Sequence, residues 1–162
     1  MISAVKCNDK GIELLKRHQF SHAANMFRSA IDFNNEYVQA YTNLAFTHII
    51  LEEHTQAIPV LETAIRLDST NFLNYFYFGV AHAVMKNLDL ASDAFERAIS
   101  LKPSFKPAIF RVGLIYLLLN DTAKAAERFN YIARDSLTEA YTRAGLQYVV
   151  LNETAIYNEL RL

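Results

Sequence analysis

SDAFERAISL, residues 92–101, rewrites a pattern already present in ANMFRSAIDF at 24–33 and in IPVLETAIRL at 58–67. Ala23, Ala57, Ala91 and Ala125 stand 34 residues apart, and so do Phe27, Leu61, Phe95 and Phe129. Ala30, Ala64 and Ala98 keep the spacing until Ile132 breaks it. Upstream, Gly11, Ala45, Gly79 and Gly113 recur in the same register. Four independent columns in one register establish an internal repeat, and that repeat decides the fold.

Each period holds two helical patterns. Tyr41, Leu44, Ala45 and His48 follow the i, i+3, i+4, i+7 rule of one helical stripe. After the polar break LEEHT, Ala57, Leu61 and Ala64 form a second stripe. Alanine or glycine at these places lets two backbones approach where a larger side chain would hold them apart. A helix pair alone cannot bury its apolar faces, so neighbouring units must stack.

Composition agrees with a helical chain. Of 162 residues, 52% are hydrophobic and 20% charged, with only four glycines and three prolines, which disfavours a hairpin-rich all-β chain. Sixteen basic and 17 acidic residues leave a net charge of −1. No Lys/Arg run supplies the positive field that nucleic acid binding requires, so no nucleic acid partner is expected. Cys7 is the lone cysteine and has no internal disulfide partner. The start MISAVKCNDKG lacks an apolar signal region, and the longest apolar run, Val112 to Leu119, is too short for a bilayer. No membrane insertion is expected, and the cytoplasm is the expected compartment.

These residues resemble the tetratricopeptide repeat family, in which a helix–turn–helix unit of about 34 residues stacks into a right-handed superhelix. The fit is best over 72–105, through Tyr75, Phe78, Gly79, His82, Ala91, Phe95, Ala98 and Pro103. Over 38–71 it runs through Tyr41, Leu44, Ala45, His48, Ala57, Leu61 and Ala64, and over 106–139 through Ile109, Val112, Gly113, Tyr116, Ala125 and Phe129. The first unit, 4–37, departs from the pattern in its first helix, where Lys10 takes an apolar place. Past residue 135 the register slips: Gly145 aligns with Gly113 at an offset of 32. A further first helix over about 138–151 is expected, then a capping helix or truncated repeat. The resemblance thus implies one all-α domain, 1–162, with repeats at about 4–37, 38–71, 72–105 and 106–137 followed by a partial repeat or capping helices at 138–162.

Signatures of catalysis are missing. The chain has no phosphate-cradling glycine loop, no HExxH and no paired-cysteine metal spacing. Glu52 and Glu53 fall in an inter-helix turn and read as solvated surface. His18 and His22 straddle a turn with no third ligand in view. His48 and His82 occupy one column, 34 residues apart, and read as hydrogen-bonded core histidines rather than joint ligands. Cys7 reads as a small semi-buried hydrophobe. No enzyme activity, no metal and no cofactor are implied.

In the family, the first helix of each pair lines a concave groove, and its groove-facing positions carry onto this sequence residue by residue. They fall on Gln39, Thr42, Asn43, Phe46, Ile49 and Ile50 in the second unit, and on Leu73, Phe76, Tyr77, Val80, Ala83 and Val84 in the third. In the fourth they fall on Pro107, Phe110, Arg111, Leu114, Leu117 and Leu118. Most are apolar, whereas the second helices carry polar outer residues such as Gln56, Arg66, Lys124 and Glu127. An open apolar groove of that extent exceeds what soluble monomers usually expose. A partner peptide, self-association, or the chain's own C-terminal helix with Ile156, Leu160 and Leu162 could cover it, or tight curvature could let the first helices shield one another.

The clamp by which some family members hold acidic chaperone tails is absent, since Pro107, Tyr77, Thr42 and Phe46 stand at its Lys and Asn places. In size and groove character the chain looks more like the small bacterial secretion chaperones that carry this repeat. The expected function is a non-catalytic adaptor or chaperone-like module that binds an apolar or amphipathic peptide segment. The expected apolar contacts are Phe46, Ile50, Phe76, Tyr77, Val80, Phe110, Leu114 and Leu118, with Asn43 and Arg111 setting polar register. A self-associating homo-oligomeric scaffold and the interaction segment of a larger protein are the alternatives. Within NFLNYFYFGV, residues 71–80, this mapping sorts the rings. Tyr75 and Phe78 go to the core of the repeat, Phe72 against the preceding unit, and Phe76 with Tyr77 into the groove.

Overall fold

The computed structural model describes residues 3–132 and Leu160. Among the described residues the regular elements are helices in four pairs. These are α1 (Ala4–Lys16) with α2 (Phe20–Phe33), α3 (Val38–Ile50) with α4 (His54–Leu67), α5 (Phe72–Val84) with α6 (Leu88–Leu101), and α7 (Lys106–Leu118) with α8 (Thr122–Ile132). The expected fifth first-helix, 138–151, and the expected groove cover by Ile156 and Leu162 lie outside the described residues. Leu160 is helical, fully buried, and part of the main core cluster.

The turn inside each pair is the same device repeated. His18, Glu52, Lys86 and Asn120 adopt left-handed backbone, with φ of 57°, 59°, 62° and 59°. In every case the following N–H reaches back to a carbonyl of the preceding turn: Gln19 to Leu14, Glu53 to His48, Asn87 to His82 and Asp121 to Tyr116, at 2.8–2.9 Å. The left-handed residue's own N–H bonds three residues back, for example Lys86 to Ala83 at 3.0 Å. This double bond is the Schellman closure of a helix end, which satisfies carbonyls that the helix would otherwise leave open. None of the four is glycine, so each turn carries some left-handed strain.

Inside each pair, the small column meets the large one. A Cβ placed on Gly11, Gly79 or Gly113 would come within 2.5, 2.7 and 2.7 Å of the ring of Phe27, Phe95 or Phe129, respectively. Hydrogen is the only side chain those sites accept while phenylalanine stands opposite. In the second pair the columns read Ala45 and Leu61, both fully buried. A methyl fits there because leucine is not a ring.

The odd-numbered helices form an inner row and the even-numbered ones an outer row. α1 packs on α3 and α3 on α5, whereas no comparable packing joins α2 to α4 or α4 to α6, and α5 meets α7 through side chains such as Phe76 and Arg111. Over α1–α5, where the inner helices touch and the outer ones do not, the stack curves toward the inner row. From α3 onward that row is also the apolar one: α5 buries seven residues, Asn74, Phe76, Gly79, Val80, Ala81, His82 and Ala83. Its neighbours on several sides explain why the sequence of α5 is hydrophobic nearly all round. At the N-terminal end Cys7 is buried beside Ala30 and Ala40, the small hydrophobe its sequence setting implied.

Candidate functional site

Polar links join the inner row at one end and rings join it at the other. Asn43 on α3 donates from Nδ2 to Asn8 Oδ1 on α1 at 2.8 Å. Thr42 Oγ1 donates to Asn74 Oδ1 across α3 and α5 at 2.7 Å, a buried bond. Further along, the Phe46 and Tyr77 rings lie 5.3 Å apart across the same helix pair. The Arg111 guanidinium on α7 sits over the Phe76 ring of α5 at 5.2 Å. The inner face therefore runs from a fixed polar end to an aromatic and aliphatic one. Burial pushes the Tyr77 hydroxyl above its ordinary value, so it stays protonated at neutral pH.

Of the expected contact residues, Asn43, Phe46, Ile50, Tyr77, Phe110, Arg111 and Leu118 are half-buried and reach the surface of the inner row. Phe76, Val80 and Leu114 do not: they are 4%, 0% and 0% exposed. This corrects the reading of those three as open groove contacts. Phe76 is covered by Phe95 of its own pair, by Phe105 at the start of the next, and by Arg111. Sequence position sets which way the side chain leaves the helix, but the closeness of the next unit decides whether anything remains outside it.

The sorting of rings in residues 71–80 changes with it. Phe72 packs forward, its ring 4.8 Å from Phe105 and under Lys102 at 4.4 Å, rather than back against the preceding unit. Tyr75 and Phe78, expected in the core of the repeat, are half-buried and face an opening on the outer side between α4 and α6. Sequence reasoning missed that opening, although the small Ala94 opposite them was a visible signal.

The shared histidine column is a polar seam on the outer side. His48 Nδ1 lies 2.6 Å from Glu53 Oε2, and its Nε2 lies 3.4 Å from Arg28 Nη2. His82 Nδ1 lies 3.2 Å from Asn87 Nδ2, while its buried Nε2 has no hydrogen-bond partner. In the fourth unit Tyr116 takes the column and donates to Glu96 Oε1 at 2.9 Å. Burial first, and that bond second, push the Tyr116 hydroxyl up to about 12. Both histidines are buried and hydrogen-bonded through Nδ1, as their place in the repeat implied. Among the described residues no three His, Cys, Asp or Glu side chains are grouped to hold a metal, and no helix is long and apolar enough to cross a membrane.

Residues 38–71 and 75–105 match the sequence profile of the tetratricopeptide repeat. Those two stretches are tetratricopeptide repeats. Mouse peptidyl-prolyl cis-trans isomerase FKBP4 is 36% identical over 69 residues, a stretch covering 43% of this chain and 15% of that protein. The human Cell division cycle protein 16 homolog is 26% identical over 116 residues, or 72% of this chain and 18% of that one. The chain thus spans less than a fifth of either relative. No activity of a whole relative follows from so short a stretch.

Solved structures give the same fold. MamA superposes with a TM-score of 0.75 at 20% identity, over 96% of this chain and 81% of that one. The first tetratricopeptide domain of Spaghetti (RPAP3), solved with the HSP90 peptide SRMEEVD, gives 0.72 at 21% identity, over 73% and 94%.

Proposed function

We propose that the chain captures an apolar or amphipathic peptide segment of a partner protein along its inner face. Phe46, Ile50, Tyr77, Phe110 and Leu118 supply the contacts, and Asn43 and Arg111 fix the register of the guest. One observation supports this reading above the others: these residues stay half-exposed on three successive inner helices, α3, α5 and α7. Apolar side chains lined up along a concave row are suited to the helix-in-groove mode of recognition. The RPAP3 domain was solved with an acidic-ended peptide. The different residues here at Thr42, Phe46, Tyr77 and Pro107 argue for an apolar guest instead.

Peptide display against the purified full chain should enrich sequences with leucine or aromatic residues at helical spacing. Tyr77→Ser and Phe110→Ser should each weaken the best of them about tenfold or more, as loss of an interface anchor does, with unchanged circular dichroism. Tyr77 replaces Phe76 as the probe because Phe76 is core. Enrichment of acidic-ended peptides, or unchanged affinity in both variants, would overturn the reading. Sedimentation of the same sample tests the scaffold alternative, which requires a concentration-dependent oligomer.

A further inference from the structure

The outer side carries a second opening whose occupant can be read from the repeat itself. A cavity of about 420 Å³ lies between α4 and α6 above α5, with Ile65, Tyr75, Phe78, Leu90 and Ala94 as its apolar wall and Glu62 at its edge. Adding 34 to each number leads to the corresponding space between α6 and α8. There the cavity is only about 210 Å³, and Ile99, Ile109 and Arg128 stand where Ile65, Tyr75 and Ala94 stand. Several columns differ between the two clefts, Tyr75 against Ile109 and Arg97 against Tyr131 among them, but the one that places a charge inside is alanine at 94 against arginine at 128.

Arg128 completes a network in its cleft. Its Nε and Nη2 donate to the two carboxylate oxygens of Glu96 at 3.0 and 3.1 Å, and Glu96 also accepts from the Tyr116 hydroxyl. This is the fork-on-carboxylate geometry that makes arginine pairs directional. The corresponding set in the larger cleft is Ala94, Glu62 and His82, and it is unfinished. Glu62 forms no ion pair among the described residues. The Asn87 amide donates to His82 Nδ1, which assigns the ring proton to Nε2, a buried donor without an acceptor. His82 lies directly behind the cleft wall, its ring 4.4 Å from that of Phe78.

We propose that this cleft takes an arginine side chain from a partner protein, its guanidinium standing where Arg128 stands one unit later and pairing with Glu62. The aliphatic stem lies along Phe78 and Leu90. Drawn inward by the guest, the Glu62 carboxylate comes toward His82, as Glu96 comes to Tyr116. The aromatic wall already accepts such a group, since the chain's own Arg97 sits over the Tyr75 ring at 5.7 Å. Arg66 and Arg97 at the rim each follow an acid by four residues on their own helices, Glu62 and Asp93. The rim is therefore electrically balanced before the guest arrives, and recognition rests on the fork geometry rather than on bulk charge. This surface is on the opposite side from the peptide groove and stands independently of it.

The test is a titration of the isotopically labelled full chain with Nα-acetyl-arginine amide, its lysine counterpart and its leucine counterpart. Saturable NMR shifts are expected at Glu62, Ala94 and His82 with the arginine compound, and affinity about tenfold weaker for the other two. Glu62→Gln, a change at an exposed side chain, should lower the arginine affinity about tenfold. Ala94→Arg places the missing guanidinium on the same chain, at a helix position that carries arginine one unit later. It should abolish the shifts and raise Tm. Equal binding of the leucine compound would make the cleft an apolar anchor site and overturn the proposal. So would unchanged affinity in Glu62→Gln, or no saturable shift with arginine.

Discussion

The second and third units follow one template and differ in how they fill it. In the second, Ala45 and Leu61 occupy the columns where the third has Gly79 and Phe95. In the second, a histidine is held on both nitrogens; in the third, the same histidine is held on one. What the pair teaches is that the columns of this chain are coupled. A ring in one column demands a bare backbone in the other, and the side chain in the histidine column takes its partners from the outer row and the turn that leads into it. Repetition inside one sequence therefore supplies controls that a non-repetitive protein lacks.

The largest expected effect breaks the Gly79–Phe95 pair. Alanine would normally favour a helix interior over glycine by about 1 kcal/mol. Here its methyl would stand 2.7 Å from a ring carbon in a close-packed core, so Gly79→Ala should instead destabilise by about 2 kcal/mol. Adding Phe95→Leu recreates the combination used by the second unit and should restore most of the loss. Urea unfolding of the two variants and wild type measures both changes. A neutral Gly79→Ala, or a double variant no better than the single one, would show that the columns are not coupled in this way.

The architecture was legible in the sequence because its causes are local and repeated. Gly11, Gly79 and Gly113 with their phenylalanines announced the close helix pairs, and the polar breaks announced the turns. The left-handed turns at His18, Glu52, Lys86 and Asn120 were not visible as such, since no glycine marks them. The inner face was half legible. Tyr77, Phe110 and Leu118 reach the surface where the repeat places them, while Phe76, Val80 and Leu114 do not. Their burial depends on how closely one unit sits on the next, which is set by side chains roughly 30 residues away, such as Phe105 and Arg111, beyond any single-helix pattern. The outer cleft is larger than its counterpart where several columns differ, among them alanine at 94 against arginine at 128, and only a comparison of columns makes those differences meaningful.

A smaller effect separates the histidines. Burial holds the His82 imidazole below its ordinary value, against a weaker raising pull from Glu62. The unfolded chain therefore takes up that proton more readily than the folded one. The stability contributed by neutral His82 is complete above the ordinary histidine value of about 6.5 and is lost as pH falls through the lowered folded value. His82→Gln, which cannot titrate, should flatten the acid side of the stability profile in that window. Thermal unfolding followed from about pH 8 to about pH 5 reads the difference. An unchanged slope would mean that His82 gains its proton without cost to the fold.

The smallest effect is expected where the two units are alike. Glu52 and Lys86 hold the same left-handed backbone, with φ of 59° and 62°, at the same step of the same turn. Glycine relieves the strain of that conformation but gives the unfolded chain more freedom, leaving a net gain of about 0.5 kcal/mol. Glu52→Gly and Lys86→Gly should therefore stabilise by equal amounts, and Asn120→Gly by less, because asparagine tolerates this region better than glutamate or lysine. Equal gains at 52 and 86, from denaturant midpoints at constant slope, would put the whole difference between the units in their interior columns and histidine seam. Unequal gains would mean that the turns also feel what lies beneath them: His48 accepts the Glu53 N–H in one unit and His82 the Asn87 N–H in the other. The two backbone closures are the same bond hung on two differently held residues, so the looser third-unit histidine would show itself as the larger response.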